Sequence, residues 1–93
     1  MGNSLYRISG GLANKMYTVY ILRTNKNTLY TGQTIDLEKR LGQHKAGKGA
    51  KYLRGFKSFE LVYWEEFTSL SQALKREWEI KQMAKVKKEE LVK

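Results

Sequence analysis

No cysteine occurs anywhere in this 93-residue chain, which excludes disulfide staples and thiolate zinc sites. Histidine is nearly as scarce. His44 stands alone, and one imidazole cannot anchor a zinc ion by itself. A metal bound here must therefore be held by oxygen ligands, which favours Mg2+ or Mn2+. Long apolar runs are missing too. None approaches the length of a membrane span, so no membrane partner is expected and the chain reads as cytoplasmic. Residues 1–15 contain no acid, and they lack the apolar core and clear cleavage site of a secretory signal. They read as a flexible leader or expression scar, with Met16 as a candidate native start. The remaining span, 16–93, has room for one hydrophobic core and little more.

Acidic residues are also in short supply. Eighteen lysines and arginines face nine aspartates and glutamates, for a net charge of +9. Setting aside Arg7 and Lys15 in the leader leaves sixteen against nine. The excess is concentrated. Between Lys39 and Lys57 stand seven basic residues (Lys39, Arg40, Lys45, Lys48, Lys51, Arg54 and Lys57) and no acid. A one-sided cluster of this kind favours a polyanion, DNA or RNA. A basic surface that serves solubility alone is the plainer alternative.

Residues Tyr17 to Thr24 are rich in β-branched and aromatic side chains and read as a largely buried strand. Asn25, Lys26 and Asn27 form a turn signal, and Thr28 to Thr34 reads as the return strand of a hairpin. A three-residue loop pairs Thr24 with Thr28 and Leu22 with Tyr30. It then puts Tyr20, Leu22, Tyr30 and Gly32 on one face of the sheet. An even-numbered loop would separate the two tyrosines. Asp36 suits the N-cap of a helix over 37–45, with Leu37, Leu41 and His44 on one stripe and Arg40 beside them. Gly47 and Gly49 interrupt that pattern, and 50–54 reads as a short helical turn. A third strand is expected over 59–67. A helix capped by Ser69 or Ser71 follows to about Ala84, then a further short helix from Lys87. The expected fold is α/β: a small three-stranded mixed or antiparallel sheet, in β-β-α-β-α-α order, flanked by helices.

Three features could carry chemistry. Glu77 projects into the stripe formed by Leu70, Ala73, Leu74, Ile80 and Ala84, where a carboxylate is costly unless it is paired or binds a cation. The alternative is a surface pair with Lys81, four residues on. Arg40 and His44 project from one side of their helix. They offer a planar fork for phosphate oxygens and a group that exchanges protons near neutral pH. His44 could equally be a satisfied partner on a leucine-rich stripe. Tyr20 and Tyr30 read singly as sheet packing, and Gly32 marks a close approach of backbone or ligand.

Together these residues resemble a family. Thr18-Val19-Tyr20 followed by Tyr30-Thr31-Gly32 resembles the paired triplets of the GIY-YIG endonuclease superfamily. Arg40, His44 and Glu77 follow in the family's order, and the stretch from His44 to Lys51 resembles its small stand-alone bacterial members. Thr18 replaces the glycine of the first triplet and Thr31 the isoleucine of the second. No asparagine follows Glu77, where many members carry one.

The resemblance implies a role for each residue. Glu77 would hold a single divalent metal, and Arg40 would contact the scissile phosphate. Tyr20 and Tyr30 would position or deprotonate the attacking water, with His44 beside them. Gly32 would keep the floor of the site open. The charge cluster, independently of the resemblance, points to Lys45, Lys48, Lys51 and Arg54 as binders of the nucleic-acid backbone. The implied activity is metal-dependent hydrolysis of phosphodiester bonds, in DNA rather than RNA, structure-specific and repair-related. The alternative is a nucleic-acid-binding protein of the same fold with little or no cleavage. A tyrosine base would need its pKa shifted down by its neighbours. Tyr20, Tyr30, Arg40, His44 and Glu77 are expected to converge on one concave face of the sheet.

Overall fold

The first strand is β-branched and aromatic, is buried almost continuously on both faces, and becomes the centre of the sheet. The computed structural model describes residues 16–93; the leader reading of residues 1–15 lies outside them. The elements in order are β1 (Tyr17–Thr24), β2 (Leu29–Thr34), α1 (Leu37–Lys45), a 3-10 turn (Lys51–Gly55), β3 (Phe59–Phe67), α2 (Leu70–Gln82) and α3 (Lys85–Leu91). The sheet order is β2-β1-β3, and both pairings are antiparallel.

The hairpin has the three-residue loop. The Thr24 N–H donates to the Thr28 carbonyl at 2.9 Å. Asn27 takes the left-handed conformation (φ 65°) that closes such loops. Leu22 consequently pairs with Tyr30 and Tyr20 with Gly32, so these four share one face.

Each face of β1 seeds its own core. Val19 and Ile21 pack with Ala73 and Ile80 of α2. Tyr20 and Leu22 pack with Leu37 of α1 and Leu53 of the 3-10 turn. Helices thus cover both sides of a thin sheet, the layered solution for strands buried on both faces. Among the described residues no helix is long and apolar enough to cross a membrane.

The caps match the sequence signals. Asp36 accepts from the Lys39 N–H at 3.1 Å, and Ser69 accepts from the Gln72 N–H at 3.3 Å. One expectation is corrected. Of the stripe assigned to α2, only Ala73 and Ile80 are buried. Leu70, Leu74 and Ala84 are exposed. The small Ala73 lets the helix seat closely on the sheet, and the contact is narrower than the apolar pattern.

Candidate active site

The end of α1 builds the site. Gly47, at φ +76°, terminates the helix as a Schellman motif. Its N–H donates to the His44 carbonyl, and the Lys48 N–H donates to the Gln43 carbonyl. This turns the chain back over the His44 ring. The Ala50 N–H then donates to His44 Nδ1 at 3.2 Å. The approach is close enough that a Cβ on Gly49 would stand 2.0 Å from Nδ1, so only glycine fits there.

On its other side the ring meets Tyr20, with His44 Nε2 and Tyr20 Oη 2.9 Å apart and buried. A backbone N–H can only donate, so Nδ1 must accept and lacks a proton. The neutral ring therefore carries its proton on Nε2 and donates it to the Tyr20 oxygen. His44 supports Tyr20 as a donor; it is not poised to take the phenol's proton. Burial, and secondarily the positive Arg40, hold His44 below its ordinary titration range.

Tyr20 is wholly buried. Its ring crosses Gly32 so closely that a Cβ there would stand 2.5 Å from Oη. Gly32 thus makes room for a tyrosine, which is the close approach its position in the strand signalled. The Tyr20 pKa runs against expectation. Loss of water pushes it up to about 12, with Tyr30 and Glu77 adding to the rise and Arg40 opposing it. Desolvation outweighs the neighbouring cation, so this phenol is held in its protonated form.

Tyr30 lies 5.8 Å from His44, edge to face, and 6.3 Å from Tyr20 between ring centroids. It is half-buried. Its ring stacks on Tyr52 at 5.9 Å and 17°, and Tyr52 is 49% exposed. Tyr52 Oη donates to Thr28 Oγ1 at 3.1 Å, which fixes the outer ring. A line of aromatic rings therefore runs from the buried Tyr20 to the surface, where Lys48, Lys51 and Arg54 are all exposed.

Tyr20, Tyr30, Arg40 and His44 gather on one side of the sheet. Glu77 is carried by a helix of the other layer. Its helix packs on Val19 and Ile21, which alternate with Tyr20 and so point the other way. Its charge is nevertheless felt at Tyr20. The expectation of one concave face thus holds for four residues, and the fifth approaches from the opposite layer. The Glu77 side chain is 19% exposed and pairs with Lys81 at 3.1 Å; the partner is the one anticipated in the alternative, but the carboxylate is largely enclosed rather than on a solvated edge.

Among the described residues no three His, Asp or Glu side chains cluster to hold a metal. The donor set available is the Glu77 carboxylate. One carboxylate with waters and a substrate phosphate suits Mg2+, which retains much of its hydration. Lys81 competes for that carboxylate, but it is half-exposed and free to swing away. The residues fit a single divalent ion on that condition.

Sequence reasoning missed Gly49, Ala50 and Tyr52. The two glycines at 47 and 49 read as helix breakers, and a backbone donor such as Ala50 N–H leaves no trace in residue type. Tyr52 could have been noticed as an aromatic inside the basic segment.

Residues 16–90 match the family model described as the GIY-YIG catalytic domain. A UPF0213 protein of Natronomonas pharaonis is 51% identical over 74 residues, covering 80% of this chain and 87% of that protein. A UPF0213 protein of Yersinia pestis (strain Pestoides F) is 47% identical over 81 residues, covering 87% and 85%. The solution NMR structure of a UPF0213 protein from Bacillus halodurans superimposes with a TM-score of 0.56 at 43% identity, covering 83% of this chain and 82% of that one. The match over most of the sequence, on a fold that places the two tyrosines on one face of the sheet, shows that this chain belongs to the GIY-YIG nuclease family and, within it, resembles small stand-alone UPF0213 proteins.

Proposed function

We propose that this chain is a divalent-metal-dependent endonuclease that hydrolyses phosphodiester bonds in DNA. The observation that carries the reading is the buried Tyr20–His44 hydrogen bond, with Arg40 beside it and an exposed basic segment around it. Burying a phenol and an imidazole is tolerated because each is hydrogen-bonded, the ring on both nitrogens.

Phosphodiester hydrolysis needs an activated water and a neutraliser for the charge developing on phosphorus oxygens. Arg40 supplies a planar guanidinium for those oxygens. Tyr20 is buried and titrates too high to activate water, so it orients. Its oxygen accepts from His44, which leaves its own proton to donate into the site. The half-buried Tyr30 is the tyrosine that bulk water reaches, so it can release its own proton to solvent and, as the phenolate, take the proton of the attacking water. Glu77 would hold the metal, whose contribution when bound is Lewis acidity and a lowered water pKa.

A second reading is a DNA-binding protein that cleaves poorly. The Lys81 ammonium on Glu77 and the missing asparagine after Glu77 favour it. Incubation with single-stranded, duplex, flap and branched DNA, and with RNA, in Mg2+ and in Mn2+, separates the two. Products that disappear with Glu77→Gln support the nuclease. Mobility shifts without products under every condition support the binder.

A further inference from the structure

Beyond the tyrosine cluster, a pocket of about 320 Å3 opens behind His44. Its walls come from the end of α1, the 3-10 turn and the segment that leads into β3. Lys45, Arg54 and Lys57 supply three cations, Phe56 and Phe59 two aromatic rings, and Ser58 a hydroxyl. No acidic residue lines it. His44 forms part of the wall, and its ring meets Phe59 edge to face at 6.1 Å. The three cations are exposed, while both phenylalanines are half-buried.

We infer that this pocket binds one unpaired nucleotide of the strand, its base against Phe56 and Phe59 and its phosphate on Arg54, Lys57 and Lys45. The chemistry is specific to that ligand class. Cations without a compensating carboxylate select an anion. Aromatic walls supply a surface for a π-face, as single-strand-binding proteins do. The volume sits at the low end of small-molecule sites, roughly 300–1,000 Å3, so it admits a single nucleotide and excludes a base pair. A base inside a duplex cannot enter without leaving the stack. The inference rests on the nuclease reading only for its consequence: a nucleotide seated here lies against His44, one residue from Tyr20, so the pocket selects unpaired DNA for the cut. The basic segment alone would give affinity without that selection.

The test uses the full chain without added metal. Amide shifts in an NMR titration are followed with thymidine monophosphate, deoxyadenosine monophosphate, thymidine and inorganic phosphate. The expected result is shifts at Lys45 to Gly47 and at Phe56 to Phe59, with at least one nucleotide bound at least tenfold more tightly than thymidine or phosphate. The double variant Arg54→Ala, Lys57→Ala alters only exposed side chains. It should weaken nucleotide binding about tenfold, the equivalent of one charge-assisted hydrogen bond. Phosphate binding as tightly as both nucleotides reduces the site to a basic patch and overturns the inference. So do shifts confined to other surfaces. A chain that cleaves DNA but seats no nucleotide loses the pocket and keeps the nuclease. A chain that seats the nucleotide but cleaves nothing keeps the pocket and loses the nuclease.

Discussion

The Ala50 N–H donates to Nδ1 of His44, and that single backbone bond decides what His44 can do to Tyr20. With Nδ1 occupied as an acceptor, the ring presents Nε2–H to the phenol oxygen. The tautomer is set by chain geometry that depends on a glycine at position 49. A site that looks like two side chains is thus three groups deep, and the third is main chain.

Gly49→Ala should therefore damage the site although it adds only a methyl group. Its Cβ would meet a buried imidazole at 2.0 Å, and moving the ring aside would break its hydrogen bonds to Tyr20 and to the Ala50 N–H. Overpacking of this kind costs about 1–3 kcal/mol. Cleavage should fall further than stability, because the ring loses its orientation. Gly42→Ala is the control. No atom lies within 4 Å of the added Cβ, and the position is exposed inside α1. It should gain up to ~1 kcal/mol from helix propensity. Urea melts of both variants check the contrast; equal stabilities would sink the argument.

Stability should fall on mild acidification. Burial and Arg40 lower the His44 pKa below its ordinary value of 6.5, so the unfolded chain binds this proton more readily than the folded one. The contribution is full above pH 6.5 and is lost as pH drops from there through the folded value. Protonation would also put a hydrogen on Nδ1, facing the Ala50 N–H. Urea midpoints across pH 8 to 5 should decline for the wild type and decline less for His44→Gln. Parallel profiles would remove His44 as the source.

Much of this arrangement is legible in the sequence. The three-residue loop and strand alternation placed Tyr20 and Tyr30 on one face, and Asp36 and Ser69 announced their helices. What alternation could not give was the side of the sheet on which α2 lies. Residues 70–84 carry apolar side chains over a broad arc, yet only Ala73 and Ile80 are buried. Helical period fixes an angle around the helix axis, not the layer the helix joins. That is why the sequence sets Glu77 among the tyrosines, whereas its helix lies on the other face. The raised Tyr20 pKa was hidden for a similar reason: it depends on how completely Tyr20 is enclosed, which is a tertiary property.

Removing the competitor for Glu77 should ease metal binding. Lys81 sits 3.1 Å from the carboxylate and is half-exposed. Such pairs are worth up to about 1 kcal/mol. Lys81→Ala should lower the Mg2+ or Mn2+ concentration for half-maximal cleavage by about fivefold at most, with little change in the maximum. Glu77→Gln should abolish metal-dependent cleavage at every concentration while DNA still binds. A Glu77→Gln protein that cleaves like wild type would leave Glu77 as a helix-surface partner of Lys81.

Affinity for DNA should fall steeply with salt, and the basic segment should account for most of the slope. Lys45, Lys48, Lys51 and Arg54 are all exposed, and each that meets a phosphate releases condensed counterions. Neutralising all four should flatten the plot of log affinity against log salt by about three units. Tyr52 lies among them with its ring stacked on Tyr30, so Tyr52→Ala should weaken binding without changing the slope, because stacking displaces no counterion. Fluorescence anisotropy with a labelled single strand between 50 and 300 mM salt, about the range over which such contacts are lost, reads both effects. A slope unchanged in the fourfold variant would move the phosphate contacts to Lys85, Lys87 and Lys88. That is the less favourable surface, because Lys85 already bonds the Asn27 carbonyl and pairs with Glu89.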